Sequence, residues 1–330
     1  METGRPTNPE AEEILGGYFP VLDHGFVALV DYMGSDDSIE RAARVSYGYG
    51  TRKTSATRGL VRYLRRHRHT TPSEMVELKF HCAMPMFVAR QWIRHRTASV
   101  NEYSGRYSLM PLLFYTPPEE HFSLQSSANN QGRGERARSD LYEVARERWG
   151  RIRSEAGGAY GWMVESDVAR EIARIDLPLS TYTQWYWKID LHNLLHFLSL
   201  RVDPHAQWEI RAYAEVMAGM VKRVAPLSYE AWVDYDLGAA PLSRGERAVL
   251  SRLVEAREEG LVARSGTTIG PSEMADLGLS GREVRELGAK LTAPEKPDFD
   301  LDLGRMRPAQ EVADEMAKAV PSFEESPGGG

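Results

Sequence analysis

A chain of 330 residues with 42% apolar and 27% charged side chains can bury a sizeable core, which excludes wholesale disorder. Its formal net charge of −6 works against a broad nucleic-acid-binding surface, though not against a local basic pocket. The single cysteine, Cys82, excludes an intramolecular disulfide and a cysteine-based metal cluster. No stretch approaches the roughly 20 apolar residues of a membrane span. The N-terminus has no basic start followed by an apolar run, so the expected compartment is the cytoplasm.

Residues 1–19 read as an N-terminal arm and 20–238 as the working domain. Phe26–Val30 is expected as a strand and Ser38–Val45 as a short helix capped by Ser38. Leu60, Val61 and Leu64 recur at helical spacing within 55–68. Thr71-Pro-Ser-Glu74 has capping-box spacing with proline at the first helical position. VELKFHCAM (76–84) alternates as a strand does, and Pro85 opens a helix running to Arg96. Further helices are expected after Ser166, over 191–201, and after Asp203-Pro204. Strands interspersed with helices imply an α/β or mixed α+β fold.

Aromatic residues thin out after Leu237: residues 239–330 hold only Phe299 and Phe323, with 12 Lys+Arg against 17 Asp+Glu. Within 239–293, Ser243/Glu246 and Ser280/Glu283 fit capping boxes, so a helical extension is expected there. Residues 294–330 read as an acidic, poorly ordered tail with a short helix in PAQEVADEMAKAV. That extension is either a partner-binding segment or a helical cap on an oligomer; the cap is the plainer reading.

The densest polar stretch is RHRTASVNEYSGRY, residues 94–107. If 86–96 is one helix, Gln91, Arg94 and His95 share a face. The chain then enters a loop whose Gly105 permits close backbone approach to a ligand. Arginine forks bind phosphate or carboxylate with paired bonds, and amides near Ser104-Gly105 can form an anion nest. Such a stretch alone is more often a solvated face than a pocket. Interleaved Trp92, Tyr103 and Tyr107 favour a pocket, as do Arg174 and Arg201 in apolar surroundings, although structural ion pairs with Glu171, Asp176 or Asp203 would also satisfy those arginines.

At Arg94, His95, Arg96, Ser99, Asn101, Ser104 and Arg106 the stretch resembles the signature of flavin-dependent thymidylate synthases, with every fixed position filled. The resemblance continues in RAARVSYG (41–48), HTTPSE (69–74), FVARQW (87–92), REIARIDLPLSTYT (170–183) and LHNLLHFLSLRVDPHAQWEI (191–210), covering roughly residues 20–237. It implies a central mixed sheet flanked by long helices, assembled as a homotetramer with active sites shared between copies. It implies conversion of dUMP to dTMP using 5,10-methylenetetrahydrofolate, FAD and NADPH. Carried to this sequence, it puts Ser46, Thr71, Arg94, His95, Arg96, Glu102, Asp190, His192 and His196 against FAD. It puts Gln91, Arg94, Glu102, Ser104, Gly105, Arg106, Arg174 and Arg201 against dUMP. His69 and Tyr107 would lie near the folate or NADPH face. Arg201 would face uracil and favour its ionisation at N3.

Three rivals bear on this reading. The basic run Arg62–His69 could contact nucleic acid, but the acidic balance and the lack of a recognition motif disfavour it. The pair His192/His196 lacks the motif and third ligand of a metal site, so no metal is expected. A related flavoenzyme acting on another pyrimidine nucleotide would keep the fold and change the product. Nucleophilic catalysis by the protein is not expected: Cys82 reads as a buried strand residue, and no base accompanies Ser104.

Overall fold

The computed structural model describes residues 7–45, 57–127, 132–257, 260–292 and 294–321. They form two compact units. The first runs to Trp232 and resumes at Phe299; the second spans Val233–Asp298.

In chain order the first unit carries α1 (Pro9–Ile14), β1 (Tyr18–Val21), β2 (Gly25–Met33), α2 (Asp36–Val45), α3 (Thr57–Arg66), β3 (Glu77–Pro85), α4 (Met86–Trp92) and β4 (Ser99–Glu102). It continues with β5 (Ser123–Gln125), β6 (Arg133–Arg136), α5 (Ser139–Glu165), α6 (Arg170–Ala173), β7 (Tyr182–Asp190), α7 (Leu191–Arg201), α8 (Trp208–Val224) and α9 (Pro226–Trp232). Strands β1-β2-β3-β7-β4 form one sheet in that order, and every pairing is antiparallel. The expected mixed sheet is therefore corrected to an antiparallel one. A β5–β6 hairpin stands apart from it.

The sheet's inner strands explain its stability. β3 alternates buried and half-buried positions before ending fully buried, and β7 buries Tyr182, Trp185, Trp187 and Ile189. Trp92 from α4, Trp187 from β7 and Phe197 from α7 are all fully buried and meet with ring centroids 5.1–5.3 Å apart. Each such pair contributes about 0.5–1.5 kcal/mol beyond its burial. This cluster fixes the end of α4 against α7, on which the site depends.

Several local expectations need correction. α2 starts at Asp36, and Ser38 Oγ accepts a bond from the Ser35 amide (3.3 Å) instead of capping the helix. Thr71–Met75 is a single 3-10 turn without a side-chain cap. α4 ends at Trp92, so Arg94 and His95 follow it in a turn held by His95 N to Trp92 O at 3.0 Å. Residues 99–102, read as loop, pair as β4 with β7. After Ser166 only the four-residue α6 forms. β1, β7 and the 27-residue α5 have no counterpart among the expected elements.

The second unit contains α10 (Arg244–Leu253), β8 (Val254–Arg257), β9 (Gly260–Ala263), α11 (Pro271–Asp276) and α12 (Gly281–Leu291). Both expected capping boxes form. Val249, Ile269, Leu279 and Leu287 make its own small core.

The two ends of the first unit depart from the reading as arm and loose tail. α1 buries Ala11 and Ile14 completely. From Phe299 the chain returns to this unit and forms α13 (Ala309–Lys318). Tyr18 and Arg307 exchange backbone bonds of 3.0 and 2.8 Å, and Val312 packs with Phe26 and Ala83. Apolar side chains within the acidic segment make this return favourable.

Candidate active site

The site is built along α7. Its first turn is capped by Asp190, whose carboxylate accepts from Asn193 N at 2.9 Å and Asn193 Nδ2 at 2.7 Å. Its last residue is Arg201. Eleven residues at 1.5 Å rise separate these ends by roughly 15 Å. The Leu191 amide bonds to Val76 O (2.8 Å), which brings the Thr71–Met75 turn to the starting end. Thr71 is exposed there, and His69 lies just before it, exposed and stacked on Tyr63. His192 is half-buried, and its Nδ1 is buried without a partner among the described residues. Ser46 lies outside the described residues.

At the other end, the aromatic cluster sets His95 edge-on to Phe197, with centroids 4.8 Å apart. Arg201 Nε donates to His95 Nε2 at 3.1 Å. An imidazole nitrogen that accepts carries no proton, so His95 holds its proton on Nδ1. Burial, then the Arg201 cation, then His196 lower the His95 pKa to about 4. Burial and the nearby Arg94 cation also lower that of Arg201. Arg94, His95, His196 and Arg201 thus form one electropositive cluster, in which no carboxylate of the described residues pairs with either arginine. Arg96 follows, exposed.

The remaining signature residues cross the sheet edge. Glu102 sits opposite Trp185 and accepts from Thr183 Oγ1 at 2.7 Å. Tyr103 N bonds to Gln184 O (2.8 Å), and Ser104 O receives the amides of Tyr107 and Ser108, both at 3.1 Å. The loop closes on α6: Arg106 Nε lies 2.8 Å from Glu171 Oε2, and Arg170 donates to Tyr107 O at 2.6 Å. A Cβ on Gly105 would stand 2.6 Å from Met110 Sδ and 3.1 Å from Arg174 Cδ, so a larger residue here would force those side chains aside. That contact brings Arg174 to the Ser104–Arg106 loop. Glu171 pairs with Arg106 and not with Arg174. Tyr107 is exposed.

Gln91 donates to Gln207 Oε1, and Gln207 Nε2 donates to Glu209 Oε2 at 2.9 Å. Glu209 is buried, bound by Arg133 at 2.5 and 2.7 Å and by the Tyr115 hydroxyl at 3.0 Å. Burial opposes its charge, but the bonds and charge of Arg133, with Gln207, hold its carboxyl below the usual range. Burial and Glu209 raise the Tyr115 phenol, which stays a donor. Sequence reasoning passed over these four residues. Gln207 and Glu209 stand in Ala206-Gln-Trp-Glu209, polar side chains opening an otherwise core-facing helix, which was the available signal.

The family model of the thymidylate synthase complementing protein matches residues 28–227. A flavin-dependent thymidylate synthase from Gluconobacter oxydans is 49% identical over 292 residues, covering 88% of this chain and 92% of the relative. The chain belongs to the flavin-dependent thymidylate synthase family. One from Wolbachia pipientis is 50% identical over 275 residues, covering 83% of this chain and 96% of its own. A solved UMP/dUMP methylase from Streptomyces cacaoi, bound with 5-Br dUMP, is 33% identical with a TM-score of 0.60. It covers 66% of this chain and 97% of its own. The family likeness was expected to stop near residue 237. The Gluconobacter match, at 88% of this chain, is longer than residues 20–237, so it reaches into the flanking segments.

Proposed function

We propose that this chain methylates dUMP to dTMP, taking the carbon from 5,10-methylenetetrahydrofolate, with FAD as hydride carrier and NADPH as reductant. The observation that carries this reading is the Arg94/His95/Arg201 cluster at the end of α7. A half-buried Arg201 beside the Arg94 cation, paired with no described carboxylate, is costly, and an anionic ligand offsets the cost. The donor set suits a flavin nucleotide as well, since His192 Nδ1 is buried without a partner among the described residues.

In this reading Arg94, His95, Arg96, Thr71, Ser46, His192, His196 and Glu102 hold FAD. Asp190 acts by fixing the first turn of α7. Gln91, Ser104, Gly105, Arg106 and Arg174 hold dUMP, the last four at its phosphate. Arg201 faces the uracil ring, where a fixed cation stabilises negative charge developing at N3. Neutral His95 accepts from Arg201 and aims its guanidinium. Bound FAD supplies the hydride that brings the transferred carbon to the methyl level. His69 and Tyr107, both exposed, are the side chains on which folate or NADPH would stack.

A homotetramer with shared sites belongs to the same proposal. Ile172, Ile175 and Leu179 are 51%, 67% and 64% exposed on either side of Arg174, and Trp162 on α5 is 65% exposed. An apolar surface beside nucleotide-binding residues suits a second copy. Tritium release from 5-tritiated dUMP tests the function. Release that requires both NADPH and methylenetetrahydrofolate is expected, and its absence from flavin-loaded protein overturns the reading. The Streptomyces neighbour, named for UMP as well as dUMP, makes UMP the second substrate to try. Methylation of UMP or dCMP in preference to dUMP would replace dUMP in the proposal.

A further inference from the structure

The side chains behind Gln91 constrain it more than a ligand contact requires. Glu209 is buried and accepts from Arg133, Tyr115 and Gln207. An ionised carboxylate only accepts. Gln207 must therefore turn its amide nitrogen to Glu209, which leaves its oxygen toward Gln91. Gln91 must in turn give its nitrogen to Gln207. The orientation of both amides follows from this chain of donors and acceptors.

We propose that Arg133, Tyr115, Glu209 and Gln207 are positioning residues that lock the Gln91 amide with its carbonyl oxygen toward the nucleotide, so that Gln91 selects a hydrogen-bond donor there. The inference rests on the reading that Gln91 faces dUMP. That nucleotide offers two donors besides its phosphate, the uracil N3–H and the 3′-hydroxyl. With Arg201 favouring N3 in its ionised form, the 3′-hydroxyl is the donor that Gln91 accepts. The relay begins on the β5–β6 hairpin and ends on α4, so it also couples the hairpin's placement to nucleotide affinity.

The test is a double-mutant cycle on the full-length, FAD-loaded enzyme, read as the dissociation constant for dUMP by titration and as kcat and KM. Gln207→Leu frees the Gln91 amide to turn and weakens dUMP about fivefold, the size of one neutral hydrogen bond. Flavin content does not change. In a Gln91→Ala background the same substitution adds less than about 1.5-fold, because nothing remains to position. Glu209→Gln, which makes the acceptor ambiguous while keeping its shape, weakens dUMP in the same direction and serves if Gln207→Leu fails to fold. With 2′,3′-dideoxy-UMP the difference between wild type and Gln207→Leu disappears. Additive effects in the cycle, or lower kcat with unchanged dUMP affinity, overturn the relay. A difference that persists with the dideoxynucleotide overturns the hydroxyl assignment. Wild-type enzyme that binds FAD but not dUMP overturns the underlying reading of the site, and is distinguished by that result alone.

Discussion

Arg201→Gln tests the electrostatics at the heart of the site. Glutamine can still donate to His95 Nε2, so the substitution removes charge while leaving a donor. In the native chain Arg201 Nε lies 3.1 Å from His95 Nε2, and the imidazole pKa falls from its ordinary 6.5 to about 4. Burial is the larger cause and remains in the variant. A unit charge centred ~4–5 Å away, at an effective dielectric of ~50 for a half-solvated site, contributes ~1.5 kcal/mol, or about one pH unit. His95 should therefore titrate near pH ~5 in the variant. The assay is a ring-proton NMR titration of the flavin-free, nucleotide-free protein, with His95 assigned by loss of its signal in His95→Gln. An unmoved pKa refutes the claim that Arg201 helps keep His95 neutral. In the same variant turnover of dUMP should fall about 100- to 1000-fold, the usual cost of removing a fixed charge-stabilising group. Visible flavin absorbance should persist. Loss of FAD would place Arg201 on the cofactor side.

Four further outcomes are expected. His95 has a depressed folded-state pKa, so the unfolded chain takes up a proton first, and apoprotein stability falls as pH drops from 6.5 toward about 4. After discounting for partial exposure the loss is about 1–2 kcal/mol; urea midpoints at the two ends of that range measure it, and His95→Gln should flatten the difference. Arg106→Ala should weaken dUMP about tenfold or more without releasing FAD. Its ion pair with Glu171 is half-exposed, so thermal stability should hardly change, and equal dUMP affinity by titration would count against the phosphate role. Gly105→Ala forces Met110 or the Arg174 stem aside and should cost about 1–3 kcal/mol, together with dUMP affinity, in calorimetry and titration. Phe299 N bonds to Tyr229 Oη at 2.8 Å, and its ring lies 6.1 Å from that of Trp232, so the chain leaves and re-enters the first unit at one place. Replacing 236–297 with a short flexible linker should preserve that unit's cooperative melt, whereas truncation after Asp298 should destabilise it by about 3 kcal/mol or more through loss of Leu301, Val312 and Met316. Equal melting of the two variants would refute the packing role of the returning segment.

What the sequence revealed follows from how local each signal is. α7 was legible to the residue, because the apolar run ends at Arg201 and opens beside Asp190, and both capping boxes of the second unit formed for the same reason. β4 was not, because Ser99-Val-Asn-Glu102 has no alternation of its own: all four side chains are exposed, and the strand exists by pairing with β7. β7 was hidden because Trp185, Tyr186 and Trp187 break the apolar–polar pattern. The run Arg62–His69, disfavoured as a nucleic-acid contact on charge balance, holds a partner the sequence does not show: Arg62 reaches Glu230, 168 positions away, at 2.6 Å. Most of the Gln91 relay was hidden for that reason too: Gln91, Tyr115 and Arg133 lie far from Gln207 and Glu209, whose place at the start of α8 was its one local sign.

Where the structure leaves polar groups poorly satisfied also separates scaffold from site. On α3, Arg58 and Arg62 both reach Glu230, and Arg133 is matched to buried Glu209. Trp92 Nε1, buried without a partner among the described residues, belongs to the aromatic core, where packing of large rings outweighs one lost bond. His192 Nδ1, likewise buried without a partner among the described residues, has no such compensation. It lies on α7, four residues before His196 and nine before Arg201, the half-buried cation that no described carboxylate balances. A folded chain sustains that combination along one helix when something anionic and hydrogen-bonding completes it. Residues chosen by resemblance and residues chosen by unmet physical demand therefore both lie along α7, His192 near its start and Arg201 at its end. The second criterion owes nothing to the first.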